Sequence, residues 1–263
     1  MSAVQDTLQA LRRSIAAIEP AASETGRRFT CGAPAVDGLL GGGFLRAAVH
    51  EIFAHEEADA GAAAGLAAAL AARAAADDRR VVWVRQGFSV AETGALHAPG
   101  LAALGLDPGL LVVVTGPDAT CVLQAGAEAL RCPALGAVVI EPWGDPKSLD
   151  LTASRRLALA AEQSGVPALL LRIAATPRPS AAATRWSAAA APSRPLAANA
   201  PGHPAFDITL LRHRAGLEGR RWRLEWHREH RLFREPAPLS RPVVPLPAGR
   251  PAAPDLAPLA RTG

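Results

Sequence analysis

The chain has 263 residues, enough for one large α/β domain with flanking segments. Its formal net charge is only +4, yet every one of its basic residues except Lys147 is Arg, a bias that fits a GC-rich coding sequence as well as a phosphate-binding surface. Cys31, Cys121 and Cys132 form no C-x-x-C pair or Cys/His cluster, the start lacks the basic-then-apolar order of a secretion signal, and no apolar run nears ~20 residues; the expectation is a cytoplasmic protein with no zinc site, disulfide framework or membrane span.

In chain order, Val4, Leu8, Leu11, Ile15 and Ile18 recur every three or four residues. That is a narrow helical stripe seeking a partner surface, on its own domain or on another protein, and Pro20 ends it. Residues 1–28 are read as this helix and a linker. From Phe29 a Gly turn, a short helix at Val36–Leu40 and a Gly41-Gly42-Gly43 turn lead to a strand at Ala48–Phe53. Further strands are predicted at Val81–Arg85, Leu110–Val114, Ala137–Glu141 and Ala168–Ile173. Helices are predicted near Ala60–Ala76, Ala119–Arg131 and Leu149–Ser164. The strands are near-continuous apolar runs, as expected of a mainly parallel sheet covered by helices on both faces. Residues 174–204, rich in Pro, Ala and Ser, are expected to form a flexible loop within a domain spanning 29–233. An antiparallel hairpin follows at Phe206–Arg214 and Arg220–His227, turned around Gly216 and Gly219. Residues 234–263 carry a Pro every few positions and are expected to be a disordered tail.

The ordered set Phe29–Phe53, Leu101–Ala119, Gly136–Gly144 and Phe206–Trp226 resembles RecA, and more closely the ImuA family of RecA-like and SulA-like proteins from bacterial mutagenesis cassettes. The resemblance implies a RecA-like α/β core and a part in the SOS response, in induced mutagenesis by translesion synthesis. It implies an ImuB-like polymerase-fold partner and an error-prone DNA polymerase. RecA and single-stranded DNA stand open as further partners, and Leu8, Leu11, Ile15 and Ile18 as the partner face of the N-terminal helix.

A working ATPase would follow the strand at 48–53 with G-x-x-x-x-G-K-[ST], whose backbone N–H groups and Lys hold phosphates. Here the loop carries His55, Glu56, Glu57, Asp59 and Gly61, and the Lys and Thr positions fall near Ala62 and Ala63. Like charges 4 Å apart repel by about 1 kcal/mol in water and about 4 kcal/mol near a protein surface, so this loop disfavours a polyphosphate. The strand at 81–85 lacks a terminal acid. Glu141 stands where a magnesium-linked acid would, but alone it cannot run phosphoryl transfer. It reads as a structural acid before Pro142. The expectation is a protein without catalytic residues, cofactor or metal.

Arg212, Arg214, Arg220, Arg221, Arg223, Arg228, Arg231 and Arg234 make the hairpin region the leading candidate for DNA or partner contact. Strand alternation puts Trp222, Leu224 and Trp226 on one face and Arg221 and Arg223 on the other. Trp186 beside Arg185 is either a base-stacking pair, as in single-strand binders, or an incidental part of a linker. Two functional alternatives stand beside the adaptor: a divergent RecA-like ATPase, and a SulA-like cell-division inhibitor.

Overall fold

The computed structural model describes residues 28–76, 78–196, 198 and 200–236. The N-terminal stripe and all of the Pro-rich tail beyond residue 236 lie outside them. A nine-stranded sheet organises the chain, in the order β11-β10-β9-β8-β3-β7-β6-β4-β5. Its strands are β3 (Val49–Ala54), β4 (Val81–Gln86), β5 (Leu111–Gly116), β6 (Ala137–Glu141), β7 (Ala168–Arg172), β8 (Thr184–Ala191), β9 (Ala205–His213), β10 (Arg220–His227) and β11 (Leu232–Arg234). β3 to β8 run parallel, and β9, β10 and β11 extend the sheet antiparallel. A small ribbon, β1 (Arg28–Phe29) with β2 (Phe44–Leu45), brackets α1 (Pro34–Leu39). The ribbon closes because Gly43, at φ +111°, brings its backbone so near that a Cβ would lie 2.4 Å from the Phe29 carbonyl oxygen.

One face of the sheet is covered by α2 (Ala60–Ala75), the other by α5 (Ala119–Leu130) and α6 (Leu151–Ser164). α2 is almost all Ala, which makes it a strong helix former with a thin profile. It therefore lies close on the strands, and at Gly136 a Cβ would come within 2.5 Å of Ala75 Cβ. Val81, Trp83, Val139, Leu169, Leu171 and Trp186 face α2, while Val84, Val138, Ile140 and Leu170 face α5 and α6. Short helices α3 (Gly87–Thr93) and α4 (Ala98–Ala103) lie between β4 and β5.

Two expectations are corrected here. Residues 174–204 are not a single flexible loop: 184–191 form β8, buried at its first five residues and paired with β3 on one side and β9 on the other. The strand had no clear sequence signature because four of its eight residues are Ala, which lacks the branched or aromatic bulk typical of strands. β5, in contrast, is not buried on both faces. It is an edge strand whose Val112, Val113 and Val114 are 40%, 50% and 38% exposed.

Candidate functional site

The loop after β3 is short and tied down. His55 donates its N–H to the Ala188 carbonyl (2.9 Å), and Asp59 Oδ1 accepts the Ala190 N–H (2.8 Å), so both ends are fastened to β8. His55 Nδ1 lies 3.3 Å from Ser187 Oγ. A 3-10 turn at Glu57–Asp59 runs straight into α2. Glu56 and Glu57 are exposed at the start of that helix, where carboxylates complement its dipole. Gly61, Ala62 and Ala63 already belong to the first helical turns, and Ala63 is buried. None of them carries a side chain able to reach a phosphate.

At the carboxyl ends of β4 and β6, adjacent partners Arg85 and Glu141 form a buried ion pair. Glu141 accepts from Arg85 Nε (2.7 Å) and Nη2 (2.9 Å), and from Trp83 Nε1 (2.7 Å). Arg85 also donates to the Gly94 carbonyl (3.0 Å) and to Thr93 Oγ1 (3.0 Å), drawing the end of α3 over the strand ends. The carboxylate expected to be a lone acid thus has both oxygens engaged by fixed donors. Sequence reasoning noted that β4 lacks a terminal acid. It missed that the residue in that place is the cation that neutralises Glu141.

A second buried pair joins neighbouring strands on the other face. Arg185 Nε donates to Glu51 Oε2 (2.7 Å), and Ser180 Oγ donates to the same oxygen (3.0 Å). Arg172 on β7 donates to Asp145 (2.8 Å) and lies over the Phe53 ring. Burial pulls the Arg172 guanidinium below its ordinary value, opposed by Glu51 and Asp145. Burial pushes the Asp145 carboxyl up, but the Thr176 hydroxyl and N–H, with Arg172 and Arg178, outweigh it and hold the group below its ordinary value.

These contacts correct the reading of Arg185 and Trp186 as a base-stacking pair. Arg185 is committed to Glu51. Trp186 is 1% exposed, donates its indole N–H to Thr184 Oγ1 (2.8 Å), and packs between Phe44 and Trp222. A strand inside a sheet turns alternate side chains into the core, and Trp186 falls on the α2 side.

The hairpin alternates as expected, with Leu224 and Trp226 buried and Arg221 and Arg223 exposed. Its arginines do not share one face. Arg221 and Arg223 line a groove with His55, Ser187, Asp207 and Thr209 on the uncovered side of β8, β9 and β10. Arg212 and Arg214 line another groove, beside Ala48 and Glu162 near the start of β3. Arg220, Arg228, Arg231 and Arg234 are also exposed. Arg223 is partly neutralised by a bidentate pair with Asp207 (2.7 Å and 2.7 Å). Burial, with Arg28 and Arg214 nearby, moves the His213 imidazole below its ordinary value.

Among the described residues, no group of His, Cys, Asp or Glu is placed to hold a metal ion, and no helix is long and apolar enough to cross a membrane. No family model and no curated protein matches the sequence. The crystal structure of the RadB recombinase is similar to this chain, with a TM-score of 0.52 and 14% identity over 80% of this chain and all of that one. At that identity the likeness concerns the fold, and together with the strand order it shows that the chain has a RecA-like α/β fold.

Proposed function

We propose that this protein is a non-catalytic RecA-like adaptor acting in the cytoplasm, in SOS-induced translesion synthesis and mutagenesis. In this reading it bridges an ImuB-like protein and an error-prone polymerase, with single-stranded DNA and RecA as further contacts. The observation that carries the non-catalytic part is the Arg85–Glu141 pair. In phosphoryl transfer the acid at this place must be free to act on metal or water, and here both its oxygens are engaged by Arg85 and Trp83. The acidic loop at Glu56, Glu57 and Asp59, without a Lys, supports the same reading. The setting in mutagenesis rests on the resemblance of the four ordered segments to the ImuA family.

Two measurements test it. Thermal unfolding with and without Mg-ATP should give the same midpoint. A rise that grows with ATP concentration, as mass action requires of a true ligand, would instead favour a divergent ATPase. Affinity for single-stranded DNA over a salt series should fall with a slope of about −0.7 per phosphate contacted. It should fall further in an Arg221→Ala/Arg228→Ala variant. Absence of binding both to DNA at low salt and to an ImuB-type partner would overturn the adaptor.

A further inference from the structure

A groove of about 450 Å³ opens beside the start of β3, a volume within the ~300–1,000 Å³ range of ligand-sized pockets. Its apolar lining comes from Leu45 and Ala48 ahead of β3, Ala158 on α6, and Ala181, Ala182 and Ala183 ahead of β8. Those side chains offer apolar surface without donors or acceptors. Arg212 and Arg214, at the end of β9, also line it, and Glu162 of α6 is the one carboxylate among the lining residues.

The two arginines are set there by the register and left without a counter-charge. Arg212 lies opposite Arg185 across the β8–β9 ladder, at the irregularity beyond which Trp186 pairs with Leu210. Arg185 is spent on Glu51 (2.7 Å), so Arg212 faces a second cation and not an acid. Like charges directly opposite on neighbouring strands destabilise a sheet. Arg214 follows at the strand end, its N–H held by the Ala183 carbonyl (2.9 Å). Both side chains are exposed, and among the described residues neither guanidinium has a hydrogen bond or ion pair. His213 stands between them, and burial, then Arg28 and Arg214, hold its imidazole below the ordinary value, the mark of a positive surrounding. One unpaired arginine on a surface is ordinary. Two beside an apolar floor, one of them opposed by a third, form an arrangement that an incoming carboxylate relieves.

We propose that this groove docks a short acidic segment of a partner protein: an Asp or Glu carboxylate reaches Arg212 and Arg214, and a neighbouring apolar side chain lies on the alanine floor. Charge and lining together select this occupant. A guanidinium fork gives a carboxylate two charge-assisted bonds, and the floor rewards an apolar neighbour. Single-stranded nucleic acid fits less well. Among the described residues no aromatic ring lines the groove to stack on a base, and Glu162 repels a line of phosphates. The groove is separate from the one that holds Arg221 and Arg223, so a segment bound here leaves that one free. The inference rests on the adaptor reading for the existence of a partner, and it adds that partner's chemistry.

Selection of short random peptides displayed on phage, with the full-length wild type as bait and rejection on an Arg212→Glu/Arg214→Glu variant, tests it. Enriched peptides should carry Asp or Glu beside Leu, Ile, Val or Met. A synthetic copy should bind the wild type, lose affinity as salt rises, and bind the variant about tenfold or more weakly. Ala158→Phe, which fills the floor and leaves both arginines, should weaken it to a similar degree. No enrichment, enriched peptides without acids, or an affinity unchanged in either variant would overturn the proposal. So would oligothymidylate that binds the wild type and is lost in the charge variant while no peptide is enriched, which would make the groove a phosphate site. Should the charge variant fail to fold by circular dichroism, Arg212→Gln/Arg214→Gln takes its place with the same expected loss. Peptide binding with neither ImuB-type nor DNA binding would keep the groove and remove the adaptor reading; an ImuB-type partner bound with no peptide enriched would do the reverse.

Discussion

Replacing Glu141 by Ala is the sharpest probe of the strand-end ion pair. The substitution strands Arg85 with a buried charge and leaves the Trp83 indole N–H without its acceptor. Arg85 keeps its bonds to Gly94 and Thr93, so it stays in place rather than swinging to solvent. Breaking a buried pair from one side costs about 3–5 kcal/mol, and an orphaned buried donor about 1–3 kcal/mol, in a sum that is less than additive. The expected loss is about 4 kcal/mol, a large share of the ~5–15 kcal/mol a domain holds. At about 2–4 °C per kcal/mol for a domain of this size, the unfolding midpoint should drop by about 10 °C. Replacing both partners, Arg85→Met with Glu141→Leu, removes both charges but still leaves the Trp83 N–H without its acceptor, so it should recover part of the loss and remain about 1–3 kcal/mol below wild type. Urea unfolding of the four proteins gives the coupling energy directly. A loss under about 1 kcal/mol in Glu141→Ala would refute the reasoning, because a pair that cheap to break cannot be buried and singly satisfied.

Other outcomes follow from the same geometry. His50 is fully buried, and burial, with His213 and Arg28, lowers its pKa from 6.5 to about 4 against the bond it donates to the Leu45 carbonyl. Its folded pKa lies below its unfolded one, so the unfolded chain takes up the proton first. Stability should be level above about pH 6.5 and fall by about 3 kcal/mol as pH drops toward 4, a trend that His50→Gln should flatten in urea titrations. Trp186→Ala should cost about 3–5 kcal/mol while leaving single-stranded DNA affinity, measured on folded protein, unchanged. Gly136→Ala should lose about 1–3 kcal/mol by thermal unfolding, since its Cβ meets the Ala75 backbone at 2.4 Å. Arg223→Ala, removing an exposed pair with Asp207, should leave the thermal unfolding midpoint almost unchanged.

The parallel core was legible because its strands are apolar on both faces. Val81–Arg85 and Ala137–Glu141 read as buried strands in the sequence and are β4 and β6 in the structure. The hairpin was legible from alternation around Trp222, Leu224 and Trp226. β8 was not, because a run of Ala gives a period no contrast and a strand buried by its neighbours needs no propensity of its own. Exposure of β5 was equally hidden: Val112–Val114 has the composition of a central strand, and only the strand order makes it an edge. At the candidate site, the missing Lys and missing acid could be read from single positions. The Arg85–Glu141 and Glu51–Arg185 pairs could not, for they join residues 56 and 134 positions apart, and only the sheet's register brings them together.

The Arg85–Glu141 pair sits at the carboxyl ends of neighbouring strands, the part of an open α/β sheet where ligands gather, whereas the Glu51–Arg185 pair joins the middle of β3 to the start of β8. A cation bound there would offset the charge of a strand-end carboxylate. In this chain Arg85 does so from within, one strand away from the acid it satisfies. An internal cation is always present, whereas a ligand must be bound at a cost in order and freedom. In the adaptor reading proposed above, this internal pair lets the sheet serve as a platform for what the chain presents at its rim: the groove of Arg221 and Arg223, and the exposed valines of β5. On that reading, a core held together by its own ion pair can present binding surfaces without nucleotide chemistry. It predicts that loosening the platform, as in Glu141→Ala, weakens partner binding only as far as it unfolds the domain.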